Sequence, residues 1–167
     1  SFLEITSIPA LNLEQRLSYL LDYPHGCAEQ ITSQAFPQLA LSWLLALSPE
    51  QQITAENNVR EVINRLRSYQ TPEGGFAYWP GEPYISEWVT SYAVNFLANA
   101  QKQGYAVPIQ MLQHATNYMR QVANSWNRTE PWSQQDQAYR LYVLALAGKP
   151  DLAAMNRLKE TRLQRPV

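Results

Sequence analysis

Cys27 is the single cysteine of the 167-residue chain, and it sits in the pentapeptide Gly26-Cys27-Ala28-Glu29-Gln30. A thiol and a carboxamide spaced i, i+3 at the start of a helix lie on neighbouring turns of one face. If the Cys27 sulfur attacks the Gln30 side-chain carbonyl and ammonia leaves, an intramolecular thioester closes. Gly26 lets the backbone bend where the ring forms, and a helix N-terminus favours thiolate character. The product is an acylating agent held in reserve: a nucleophile attacks, the thiol departs, and the attacker ends joined to the Gln30 carbonyl. Two plainer readings compete. A lone cysteine often serves as a small buried hydrophobe. A cysteine hydrolase would need His25 or His114 as its base, the two histidines of the chain. His25 is too near in sequence to reach the thiol productively, and His114 falls mid-helix beside Ala115.

A thioester survives only where water is kept out. Tyr23, which flanks Cys27 through the Pro24 turn, is expected to pack over it. Tyr78, Trp79, Tyr84 and Trp88 form the nearest dense aromatic group, with core packing or turn plugging as their plainer roles.

The elements that must hold these groups read as helices throughout. Leu13, Leu17, Leu20 and Leu21 follow helical spacing behind Asn12 as N-cap. A second helix is predicted over 27–47, interrupted or kinked at Pro37, which has no backbone donor. Val59, Val62, Ile63 and Leu66 mark a third. A fourth starts near Ser86, with Val89, Ala93, Phe96, Leu97 and Ala100 on one face. Pro108 suits the first position of a fifth, carrying Leu112, Ala115, Met119 and Val122. A sixth over 134–147 is apolar almost all round, so it is expected to be buried, and Gly148 and Pro150 stop it. A seventh spans 151–163. No run alternates with strand period. The loop 70–81, with Gly74-Gly75, predicts a tight reversal whose aromatics plug the end of a helix pair. The expected architecture is all-α, a stack of helical hairpins.

Composition narrows the classes further. The chain is 46% hydrophobic and 16% charged, against about 25% charged in typical soluble domains, which excludes intrinsic disorder. A net charge of -1 with no basic run argues against a nucleic-acid or anionic-membrane surface. The longest mostly apolar stretch, 39–47, falls far short of the ~20 residues that span a bilayer, so no direct membrane insertion by this segment is expected. One cysteine rules out an internal disulfide, which suits a cytosol or an exported bacterial domain equally.

The pentapeptide resembles the thioester motif of the alpha-2-macroglobulin and complement family, Gly-Cys-(Gly/Ala/Leu/Val)-Glu-Gln, and the resemblance continues along the chain. Phe36-Pro37 is similar to the Pro that family members carry inside the same helix, and Tyr23-Pro24-His25 to the lead-in of bacterial members. Gln70 to Phe76 resembles the family's Gly-rich turn, Trp88-Val89-Thr90-Ser91-Tyr92-Ala93 its Trp-Leu-Thr-Ala helix start, and 136–145 a later helix. The resemblance implies an α/α toroid of the terpenoid-cyclase type, with Cys27 and Gln30 forming the thioester and Gly26, Glu29 and Tyr23 supporting it. The family domain is roughly twice as long, so the chain is expected to be a partial thioester domain over 1–167, the N-terminal half of the toroid. Its parts are a lead-in over 1–11, the motif at 26–30 and helical hairpins to 163.

The implied function is that of a bacterial protease inhibitor, not an enzyme, with an innate-defence-like role. A protease cleaves a bait segment elsewhere in a large parent protein, and the thioester captures it covalently through lysine amines. The implied partners are attacking proteases and other domains of the parent chain, and the implied location is the periplasm or the cell exterior, with any membrane anchor elsewhere in the parent. The Asn-Arg-Thr sequon at Asn127 adds little, being common by chance. Complement-type members carry a His before the later helix that directs transfer onto hydroxyls, whereas 125–135 here contains none. Amines are therefore the expected targets. Two readings from other classes stand beside this one. A helical-toroid enzyme of the terpenoid-cyclase or prenyltransferase type would need an Asp-rich diphosphate or metal site, and no Asp-x-Asp-Asp or Asp-Asp-x-x-Asp occurs. An inert helical interaction scaffold would leave Cys27 freely titrating. No cofactor and no metal are expected.

Overall fold

The computed structural model describes residues 21–22, 24–127 and 133–163. The lead-in over 1–11, the helix expected behind Asn12 through Leu20, the Tyr23 shield and most of the Asn127 sequon lie outside the described residues. Those described form α1 (Ala28–Ala35), α2 (Leu41–Leu44), α3 (Pro49–Arg65), α4 (Glu87–Lys102), α5 (Ile109–Ser125), α6 (Ser133–Leu146) and α7 (Leu152–Leu163). Short 3-10 turns cover Pro37–Leu39 and Leu66–Tyr69.

Local chemistry sets the boundaries. The helix expected over 27–47 is broken rather than kinked. Pro37 opens the 3-10 turn, α2 lasts a single turn, and Leu45 is extended at φ -137° and ψ 147°. α3 starts on a capping box: the Ser48 hydroxyl accepts from the Gln51 N–H at 3.2 Å, and the Gln51 side chain accepts from the Ser48 N–H at 2.8 Å. At α4 the Ser86 hydroxyl accepts from the Val89 N–H at 3.2 Å. Pro108 caps α5 instead of opening it, because its ψ of 118° is extended.

α4 is central, packing on α1, α5 and α6, while α3 backs α1 and α7 backs α6. Helices α1, α4 and α6 thus lie side by side, with α3, α5 and α7 each returning along one of them. This is the helical-hairpin layering of an α/α toroid. Ile31, Val59, Val62, Ile63, Leu66, Phe76, Val89, Phe96, Leu97, Met119 and Leu144 are fully enclosed where the stripes meet, each contributing about 1.5–3 kcal/mol of burial.

Two contacts fix the direction of α1 against α4. Trp88 donates to Glu29, and Ser33 donates to Tyr92, so both helices advance four residues in the same sense. The helices run parallel and present their N-termini at the same end.

α6 differs from expectation. It is not apolar all round: Tyr142 is 56% exposed, and the buried face includes Gln137 and Arg140. The Gln137 amide donates to the Ala123 carbonyl at 2.9 Å, while the Arg140 guanidinium donates to Gln137 and ion-pairs with Glu87. Burial lowers the Arg140 pKa, and the nearby Glu87 carboxylate opposes that shift. The helix is thus held by a polar network as well as by Leu141, Val143 and Leu144, and a run of apolar residues does not report such a network.

The loop 70–81 is a close-packed reversal. Gln70 bridges Phe76 in a single antiparallel pair, and the Thr71 N–H donates to the Gly75 carbonyl at 2.9 Å. The Gln70 amide donates to Gly74 O at 2.8 Å and Met111 O at 2.9 Å, tying the turn to α5. Gly74 has φ +100°, and a Cβ there would come within 2.6 Å of the His114 carbonyl oxygen.

Candidate functional site

Cys27 is the N-cap of α1 and Gln30 its third residue. The Cys27 thiol is unpaired and buried, at 8% exposure. Gln30 folds back toward the Cys27 backbone: its Oε1 accepts from the Cys27 N–H at 3.0 Å. These are the positions of a capping box, in which an N3 side chain reaches back to an otherwise orphaned N-cap donor.

Gly26 makes room for that reach. Its φ is +111°, a conformation L side chains rarely adopt, and a Cβ would lie 2.1 Å from Gln30 Oε1 and 2.9 Å from Gln30 Cδ. The carboxamide therefore occupies the space a side chain at Gly26 would take. Glycine is required twice over, by backbone geometry and by contact.

Four further bonds hold the approach strand. The Arg65 guanidinium donates to the Pro24 carbonyl, and the Tyr69 hydroxyl donates to Gly26 O at 2.9 Å. The His25 N–H donates to Gln34 Oε1 at 2.8 Å. The Ala28 N–H, one of the first-turn donors with no partner inside α1, donates to the Tyr78 carbonyl at 2.9 Å. The Gly-rich loop thereby docks directly on the start of α1 through the Tyr78 backbone, while the Tyr78 and Trp79 side chains are 38% and 50% exposed. Trp88 donates through Nε1 to Glu29 at 3.2 Å and stacks on Tyr92, with ring centroids 5.7 Å apart and an interplanar angle of 8°.

The electrostatics follow from helix direction. The N-termini of α1 and α4 converge at this end, and each carries a partial positive charge within its first turn. That field favours negative charge developing on an oxygen at Gln30. The Cys27 N–H already points at that oxygen, which is oxyanion-hole geometry in outline.

The structure thus brings Gly26, Cys27, Glu29 and Gln30 together, and it places Tyr78 and Trp88 beside them. His114 lies on the exposed face of α5, and the His25 backbone is engaged with Gln34. Sequence reasoning missed Arg65, Tyr69 and Gln34. The first two act across 41 and 43 residues, and no periodicity reports such pairs. Among the described residues no group of three His, Cys, Asp or Glu could hold a metal ion. No helix among them is long and apolar enough to cross a membrane.

The family model for the A-macroglobulin TED domain matches residues 4–162. The chain belongs to that family. A relative named alpha-2-macroglobulin in Escherichia coli strain K12 is 30% identical over 166 residues, covering 92% of this chain and 10% of its own length. Among solved structures, Salmonella alpha-2-macroglobulin reacted with methylamine superposes with a TM-score of 0.77 at 30% identity, covering 94% of this chain and 11% of that one. A native Escherichia coli alpha-2-macroglobulin spanning domain MG7 to the C-terminus gives 0.75 at 29% identity, covering 93% and 26%. The TED-family chain therefore spans about a tenth of the E. coli K12 protein's length. These likenesses agree with the α/α toroid and do not favour a terpenoid-cyclase or prenyltransferase reading.

Proposed function

We propose that Cys27 and Gln30 form an intramolecular thioester, and that this TED domain is the acylating part of a protease inhibitor of the bacterial alpha-2-macroglobulin kind. The observation that carries the reading is the Gln30 carboxamide folded over Gly26 and held by the Cys27 N–H. Closing the thioester joins Cys27 Sγ to Gln30 Cδ, breaks the Cδ–N bond and releases ammonia. The polarised carbonyl, the glycine gap and the converging helix N-termini each favour that step. Opening is the reverse in kind: a nucleophile takes the acyl group, and Cys27 leaves as thiolate and is protonated.

In this reading a protease that cuts the parent protein elsewhere exposes the site and is captured through its lysine amines, with no peptidase activity in the chain itself. The Salmonella relative, solved after reaction with methylamine, supports amines as the nucleophile class. Tyr23, four residues before Cys27, is assigned to shielding the closed ester from water, together with neighbouring domains of the parent. Capture of proteases places the parent protein outside the cytosol, in the periplasm or beyond.

Incubating the full-length protein with labelled methylamine tests the assignment. Wild type is expected to incorporate one label at Gln30 and expose one thiol, and Cys27→Ala to incorporate none while remaining folded. Labelling that persists in Cys27→Ala would falsify it.

A further inference from the structure

Closing a thioester accounts for Gly26, Cys27 and Gln30, and Ala28 is fully enclosed in the core. Glu29 is left without a task. The residue is half-buried in the first turn of α1, and the Trp88 indole donates to its carboxylate at 3.2 Å. No Lys or Arg among the described residues pairs with it. The indole is itself fixed: Trp88 is 44% exposed, lies flat on Tyr92 and tilts against Tyr139 at 5.5 Å. Tyr92 in turn accepts from Ser33, one turn along α1 from Glu29. The parallel register of α1 and α4 thus holds a carboxylate with no cationic partner among the described residues in the first turn of α1, one residue before Gln30, with the partly exposed Trp88 ring beside it.

Resting on the thioester reading, we infer that Glu29, positioned by Trp88, stabilises the positive charge that develops on an attacking amine nitrogen and takes its proton, directing acyl transfer to primary amines. The step balances within the site. The neutral amine attacks Gln30 Cδ, the N–C bond forms and the nitrogen becomes cationic. The C–S bond then breaks with its electron pair going to Cys27 Sγ. The surplus amine proton passes through Glu29 to the thiolate, leaving an amide and a thiol. The exposed part of the Trp88 ring adds a cation–π surface for the positive charge that the attacking nitrogen acquires. A nucleophile that attacks as an anion gains nothing from this carboxylate and is repelled by it.

The test compares two nucleophiles on the full-length protein: methylamine, whose nitrogen turns cationic on attack, and 2-mercaptoethanol, which attacks as thiolate. Adducts at Gln30 are timed by intact mass. In Glu29→Gln the methylamine rate should fall about fivefold, the scale of a partly exposed charge interaction, while the thiolate rate holds or rises. Trp88→Phe keeps the ring stack but loses the donor, so it should shift the same ratio in the same direction by a smaller factor. The double variant should add nothing beyond Glu29→Gln. Equal slowing of both nucleophiles, or an unchanged ratio, overturns the inference while leaving the thioester standing. A wild-type protein that takes up neither nucleophile overturns both. If Glu29→Gln closes no thioester, the ratio in Trp88→Phe decides alone.

Discussion

Replacing Gly26 by alanine separates thioester assembly from folding. At φ +111° an L residue is strained, and the new Cβ would sit 2.1 Å from Gln30 Oε1. Strain in such a region costs about 1–3 kcal/mol. Expelling the carboxamide also forfeits its hydrogen bond to the Cys27 N–H, worth about 1 kcal/mol. The expected loss is therefore about 2–4 kcal/mol, which leaves a protein of ordinary stability folded. The effect on chemistry should be larger. Once Gln30 swings away, its carboxamide is no longer held at the Cys27 N–H, and misplacement on the ångström scale costs about 100-fold in an intramolecular step. Gly148→Ala is the matched control, since Gly148 has φ +73° and a Cβ added there would meet nothing within 4 Å; it carries backbone strain without touching Gln30. Thermal unfolding and intact mass, measured on both variants, are expected to show both destabilised and only Gly26→Ala lacking the thioester. A Gly26→Ala protein that closes its thioester to the wild-type extent would refute the idea that the carboxamide uses the space over Gly26.

Three other substitutions probe the supports. Thr90 is fully buried, accepting from the Phe76 N–H at 2.8 Å and donating to Ser86 O at 2.7 Å; Thr90→Val should cost about 1–3 kcal/mol in chemical denaturation by stranding that N–H, and a change near zero would contradict it. Tyr69→Phe removes the hydroxyl that holds Gly26 O and should cost about 1 kcal/mol by the same assay, whereas no loss would mean the bond is idle. The Ala154 N–H, followed by the Asn124 amide, holds the Asp151 carboxyl below its usual pKa. Because the folded value is the lower one, this stabilisation is complete above the unfolded pKa of about 4 and fades as pH falls through the folded value. Asp151→Asn should therefore lower the melting temperature at neutral pH and converge with wild type in acid, and parallel profiles would contradict that.

Much of this was legible in the sequence because it is local. Ser86, Val89 and Phe96 placed α4 through a cap and a 3.6-residue stripe, and Gln70 with Gly74-Gly75 announced a packed reversal. The 26–30 pentapeptide marked a thiol and a carboxamide at the start of a helix, and Cys27 and Gln30 sit there as N-cap and N3 of α1. What was hidden depended on partners far along the chain. Pro37 announced an interruption, but the restart as the single turn α2 depended on packing. The apolar run in α6 concealed that Gln137 and Arg140 face inward, since their burial is made affordable by Glu87 and the Ala123 carbonyl. The Trp88–Glu29 bond spans 59 residues and became visible only with the register of two parallel helices.

The most direct measurement is the intact mass of the native full-length protein before and after methylamine, with thiol titration alongside. A closed thioester gives a mass about 17 Da below that of the sequence, the ammonia lost on closure, and no free Cys27 thiol. Methylamine should then add one equivalent at Gln30 and release one titratable thiol. A native protein at the full sequence mass, with Cys27 titrating freely and no methylamine uptake, would contradict the thioester at the centre of this account.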